Sequence, residues 1–207
     1  MTSAMMTPSN NPSPATVSIS EELSGPQWVS RFPGSNSTET LTQSFRESCE
    51  NFIAAIRNAG GAVTISATLR PPERAYLMHW AHKIYRNDFP PSQVPPKEGV
   101  HINWVHPTLA QSKEAARRMV NGYGIGGLAA HIPPSLNTLH TRGEAIDMNV
   151  SWNGSLNVAN MDGTITPVTT LPRTGMNLQL KAVGLTYGVK KFVGGASDRP
   201  HWSTTGH

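Results

Sequence analysis

Cysteine is nearly absent: Cys49 is the only one in 207 residues. A lone cysteine excludes an internal disulfide and leaves the redox compartment open. It falls within a helical apolar pattern with no histidine near it, so it reads as a small buried residue and a poor nucleophile. Charge is also scarce, with Asp, Glu, Lys and Arg making up 14% of the chain, while glycine (18) and proline (17) are plentiful. That balance points away from a helical bundle and toward a loop-rich α+β protein. No apolar run approaches the roughly 20 residues that span a bilayer, so membrane insertion is not expected. Residues 1–15 are mostly Ser, Thr, Asn and Pro, without a basic n-region or an apolar h-region. No secretory signal is therefore expected, and the glycosylation sequons at Asn36 and Asn153 read as chance matches. There is no G-x-S-x-G, no Walker sequence, no Cys-His nucleophile pair and no internal repeat.

What remains is one domain, 26–207, preceded by a flexible polar tail, 1–25. Leu41, Phe45, Cys49, Phe52, Ile53 and Ile56 recur at helical spacing and predict a helix over 39–59, stopped by Gly60-Gly61. A strand follows over 62–69. Pro71-Pro72 then opens a second helix to Asn87, as proline in a first turn does. Further helices are expected over 110–121 and 175–187, a polar hairpin over 157–170, and a short strand over 191–193. The last residues, 203–207, read as frayed.

The chemistry concentrates in two stretches. In the first, His140 and Asp147 are seven residues apart with Gly143 between them. On one helix that separation is a rise of about 10.5 Å, too far for two short side chains to share an ion. A turn at Gly143 followed by a strand solves the problem. Ala145, Asp147 and Asn149 then share one face, and Ile146, Met148 and Val150 the other, core-facing one. The second stretch is Asp198-Arg199-Pro200-His201-Trp202. With His201 as a third donor, His140, Asp147 and His201 form a candidate site for one zinc ion. Three protein ligands leave a position for water, the mark of a catalytic site. Asp198 is the candidate general base.

This pattern, His-x6-Asp with Gly-x-Ala-x-Asp inside it and an acid three residues before a distant His, resembles the zinc D-alanyl-D-alanine carboxypeptidase family. That family includes phage L-alanyl-D-glutamate endopeptidases and shares its fold with the hedgehog signalling domain. The match is carried by Thr138, His140, Gly143, Ala145, Asp147, Asp198 and His201, and by Arg70 at the end of the first strand. Thr138 stands where Ser is usual and Asp198 where most members carry Glu. The resemblance implies a small antiparallel sheet with helices on one side. It implies that Arg70 holds the substrate and stabilises the oxyanion. It also implies a peptidase acting, as a monomer, on the stem peptides of peptidoglycan. Size and the absence of an export signal fit an endolysin that gathers in the host cytoplasm and reaches the wall after release. A D-alanyl-D-alanine or L,D-carboxypeptidase and a non-catalytic zinc module that binds the wall are the alternatives.

The net charge of +4 suits an anionic wall. Nucleic acid is not expected, because the positive charges form no run and no binding motif is present. Trp202, next to His201, is expected to wall the metal pocket. Trp104, between His101 and His106, could line the substrate groove or sit in a packed loop. Thr138, Trp104 and Trp202 are thus the candidate substrate-binding residues. Gly122–Gly127 matches G-x-G-x-x-G but follows a helix and precedes none, so a loop entering the active site is the better reading. The hairpin over 157–170 could be a flap over the groove. His79 and His82, three apart on a helix, read as aromatic packing, His131 as a cleft-edge or structural histidine, and His207 as no ligand.

Overall fold

The computed structural model describes residues 21–207. The elements in chain order are β1 (Glu22–Leu23), α1 (Gln43–Asn58), β2 (Ala62–Ala67), α2 (Pro72–Arg86), β3 (Ile102–Asn103), α3 (Leu109–Gly122), β4 (Ala145–Ser151), β5 (Leu156–Ala159), β6 (Ile165–Val168), α4 (Leu178–Thr186), β7 (Lys190–Lys191) and β8 (His201–Ser203). The chain is an α+β protein, as its composition implied.

The central sheet is antiparallel, in the order β2-β4-β8-β7. β4 alternates as its sequence demands: Ile146, Met148 and Val150 are buried while Asp147 and Asn149 turn the other way. The buried face packs on α1, whose Phe45, Cys49, Phe52, Ile53 and Ile56 form one stripe, and on Leu180 and Val183 of α4. The β5–β6 hairpin adds Leu156, Val158 and Val168 to the same core. It therefore lies behind the sheet and is not a flap over the groove. Leu156, Val158 and Val168 commit the hairpin to the core face, which leaves the opposite face of β4 and β8 open.

A second core forms between α2 and α3. Leu77, Trp80, Ala81 and Ile84 meet Ala116, Met119 and Val120, and Trp28 closes over them. α3 begins with a capping box: the Thr108 hydroxyl accepts from the Gln111 N–H, and the Gln111 side chain accepts from the Thr108 N–H. α4 is capped by buried Asn177, whose Oδ1 accepts from the N–H groups of Gln179 and Leu180.

Three expectations about the chain ends and loops need correction. Residues 1–20 of the expected tail lie outside the described residues, but 21–25 are not tail. Glu22 and Leu23 pair in parallel with Ile102 and Asn103, and Ser24 is buried. The last residues are not frayed either. Ser203 is fully buried, and its hydroxyl accepts from the Gly206 N–H, while the Val193 N–H donates to the Gly206 carbonyl. Finally, the glycine-rich loop does not enter the cleft above His140: none of its residues lines that cleft, and only Tyr123 lines a neighbouring cavity, with Arg74.

Candidate metal centre

Three segments converge on the open face of the sheet. His140 sits in a 3-10 turn, Leu139–Arg142, that ends at Gly143 with φ 69° and ψ 28°. That left-handed conformation favours glycine. Space demands it too, since an added Cβ would stand 2.8 Å from the Thr40 carbonyl oxygen. The chain then enters β4, and its third residue is Asp147. The register pairs Asp147 with His201 on β8, so two donors lie directly opposite one another. On the other side Asp147 pairs with Ala67, after a register shift between Ile65 and Ala67. A bulge of this kind re-aims the strand that follows. Here it brings Thr68, Leu69 and Arg70 to the rim of the site.

The donor atoms form a triangle. His140 Nε2, His201 Nδ1 and Asp147 Oδ1 are each 3.2 Å from the other two. Donors about 2.0–2.1 Å from a tetrahedral ion lie about 3.3–3.4 Å apart. The triangle is therefore the right size for a small tetrahedral ion, and its two imidazole nitrogens are not the all-oxygen donor set that calcium takes. The outer nitrogens of both imidazoles face carbonyl oxygens, which can only accept: His140 Nδ1 donates to Thr68 O at 2.7 Å, and His201 Nε2 donates to His207 O at 3.1 Å. With those protons placed, the inner nitrogens of the neutral rings point lone pairs at the same spot as the carboxylate. Burial raises the Asp147 pKa, but an inner nitrogen that carries a proton instead of a lone pair donates to Oδ1, and that bonding outweighs burial and holds the carboxyl well below the usual range. An anion and two lone pairs aimed at one point are a place for a cation. His140, Asp147 and His201 can hold a metal ion.

The cleft over the triangle has a volume of about 590 Å3, and Arg70, Thr138, Phe192, Asp198 and His207 line it with the three donors. Asp198 ends the 3-10 turn Gly195–Asp198, with Oδ2 3.9 Å from His201 Nδ1. Burial and the neighbouring charge of Asp147 raise its pKa. Arg70 donates its backbone N–H to His140 O, while its guanidinium makes no hydrogen bond or ion pair among the described residues. Thr138 lines the cleft, but its hydroxyl also accepts from the Thr141 N–H and so caps the turn that carries His140.

Two predicted lining residues are elsewhere. Trp202 is wholly buried on the core face, its ring 5.4 Å from that of Phe52. Neighbours on a strand point to opposite faces, so a His201 in the cleft forces Trp202 out of it. Trp104 belongs to the second core, where its indole N–H donates to the Tyr76 hydroxyl at 3.3 Å. His79 packs edge-on against Trp80, as expected, and its Nδ1 donates to Pro134 O at 2.7 Å. His131 is exposed and joins no metal group.

Three contributors left no signal in the pattern of residue types. Thr68 and His207 act through backbone carbonyls. Lys191 is buried, with its ammonium donating to the carbonyls of Arg199 and His201 and lying 4.8 Å from the centre of the Trp202 ring. Burial lowers its pKa to about 8. It ties down the segment between Asp198 and His201. The chain matches no protein-family model, no curated protein and no solved structure.

Proposed function

We propose that the protein is a zinc-dependent peptidase that cleaves the stem peptides of peptidoglycan. One observation carries the reading: a donor triangle of His140, Asp147 and His201 at the floor of an open cleft, with the Asp198 carboxylate and the Arg70 guanidinium beside it. Two imidazoles and a carboxylate suit zinc among the available divalent ions. When bound, zinc would lower the pKa of a water toward 7 and polarise a carbonyl. The residues of the chain supply the rest. Asp198 takes a proton from the attacking water and returns it to the departing amine. Its raised pKa makes it a better base for the first of these transfers. Arg70 offers N–H donors to the carbonyl oxygen as negative charge builds on it, a role whose loss costs about 10²–10³ in rate at comparable sites. Among the described residues the Arg70 guanidinium has no hydrogen-bond or ion-pair partner to give up when it turns to that oxygen.

The choice of wall peptide rests on the motif resemblance and on the net charge of +4. The test is release of peptides from purified Gram-negative peptidoglycan, with and without chelator, and with the new termini identified by mass. New L-alanine C-termini, abolished by chelation and restored by zinc, are expected. Loss of terminal D-alanine alone would make the protein a carboxypeptidase. Absence of any release by zinc-loaded protein would sink the enzyme reading.

A further inference from the structure

A second cavity, of about 400 Å3, lies on the far side of Arg70 and His140, which line both cavities. The two differ in charge. Asp147 and Asp198 line the first, whereas no Asp or Glu lines the second, which holds Arg70 and Arg74 with Ser35, Asn36 and Tyr123. Arg74 is fixed in place: Nη1 donates to Val29 O at 3.0 Å, and the guanidinium lies 4.8 Å from the centre of the Tyr123 ring. Its Nε and Nη2 make no hydrogen bond or ion pair among the described residues. Gly34 leaves the space before them open, since an added Cβ there would stand 3.9 Å from Nε. Burial lowers the Arg70 pKa; Asp147 on the cleft side opposes this, and Arg74 on the other side adds to it. Two guanidinium groups without a carboxylate, one of them rigidly held, form a waiting anion site.

We infer that this second cavity binds a carboxylate of the peptide substrate, with Arg74 as the residue that sets the preference. The inference rests on the peptidase reading for the identity of the ligand, since Arg70 joins the cavity to the metal cleft. The carboxylate can come from an acidic side chain or from a peptide C-terminus. A planar carboxylate fits the fork of Arg74, and its burial beside Arg70 relieves the repulsion between the two cations.

The test uses zinc-loaded Asp198→Ala protein, in which turnover is blocked, and three peptides: Ac-Ala-Glu-Ala-NH2, Ac-Ala-Gln-Ala-OH and Ac-Ala-Gln-Ala-NH2. Calorimetric titration should show at least one acidic peptide binding about tenfold tighter than the neutral one, the scale of a charge-assisted hydrogen bond. Preference for the glutamate peptide assigns the pocket to a side chain, and preference for the free C-terminus assigns it to a terminal carboxylate. Adding Arg74→Gln should erase the preference at unchanged zinc content. Asn36→Asp, which sets a carboxylate in the cavity with almost no change of size, should do the same if Arg74→Gln fails to fold. Equal binding of all three peptides, no saturable binding of any, or a preference that survives both substitutions overturns the inference. Wall cleavage by the wild type is scored separately. Cleavage with equal binding sinks the carboxylate pocket alone, whereas acid-selective binding without cleavage sinks the peptidase reading alone.

Discussion

The two faces of the central sheet use the same strands for opposite purposes. On the core face, Ile146, Met148, Val150 and Trp202 are buried against α1 and α4. On the cleft face, one residue away in each strand, Asp147 and His201 converge with His140. The core face gains free energy by burying apolar area. The cleft face does the reverse, holding an anion and two lone pairs at 3.2 Å. Rigidity made on one face is thus spent on the other. A site this small survives because β4 is paired on both sides, with β2 and with β8.

Substitutions should separate the two faces. The largest effect is expected on the cleft face, from Asp147→Ala. It removes the one charged donor, so metal uptake and peptide release should vanish together while the far-ultraviolet circular dichroism stays native. Titration with cobalt, followed by visible absorption, checks the first point. Metal-free stability should fall only modestly, because the bonds that depress the Asp147 pKa are lost but no core contact is; a collapse of the fold would show that the faces are not separable. Next comes Trp202→Ala on the core face. A buried tryptophan cut to alanine typically costs about 3–5 kcal/mol, to be read from urea unfolding of the metal-free protein. Any metal affinity that remains should be lost in step with unfolding, not ahead of it.

How much of this was legible in the sequence follows from the same division. α1 was readable because five of its residues make a stripe at helical spacing. α2 was readable because Pro72 opens it. His140 and Asp147 were readable because Gly143 and the alternation of β4 lie within a dozen residues of both. Trp202 was misread because β8 has only three residues, too few for alternation to announce a face. Trp104 was misread because its partner, Tyr76, comes from a helix 28 residues earlier. The pairing of Glu22–Leu23 with Ile102–Asn103 is two residues long and joins distant segments, so no local pattern encodes it. Carbonyl oxygens, such as those of Thr68 and His207, exist at every position. Only the fold reveals which ones matter.

Asp198→Ala sharpens the comparison within the cleft face. Asp198 is no member of the donor triangle, so metal content should match the wild type. Peptide release should fall by about 10²–10⁴, the usual contribution of a general base. Full activity at equal metal content would remove Asp198 from that role and leave the proton to another group.

The smallest effect tests whether the second layer belongs to the cleft face or merely neighbours it. His201 Nε2 donates to the carbonyl of His207, and that carbonyl also accepts from the Ser203 hydroxyl at 3.2 Å. The turn is closed by Gly206, whose φ of 85° favours glycine and whose N–H donates to Ser203 Oγ. Deleting Gly206 and His207 removes no donor and no residue of either core. The ring of His201 should then lose its fixed tautomer, because water replaces an oriented carbonyl. Loss of such outer partners typically weakens metal binding about 10–100-fold, measured by competition with a chelator, while urea stability of the metal-free protein stays near the wild type. A large loss of stability would instead make the turn a part of the core, and unchanged affinity would mean that β8 alone sets the orientation of His201.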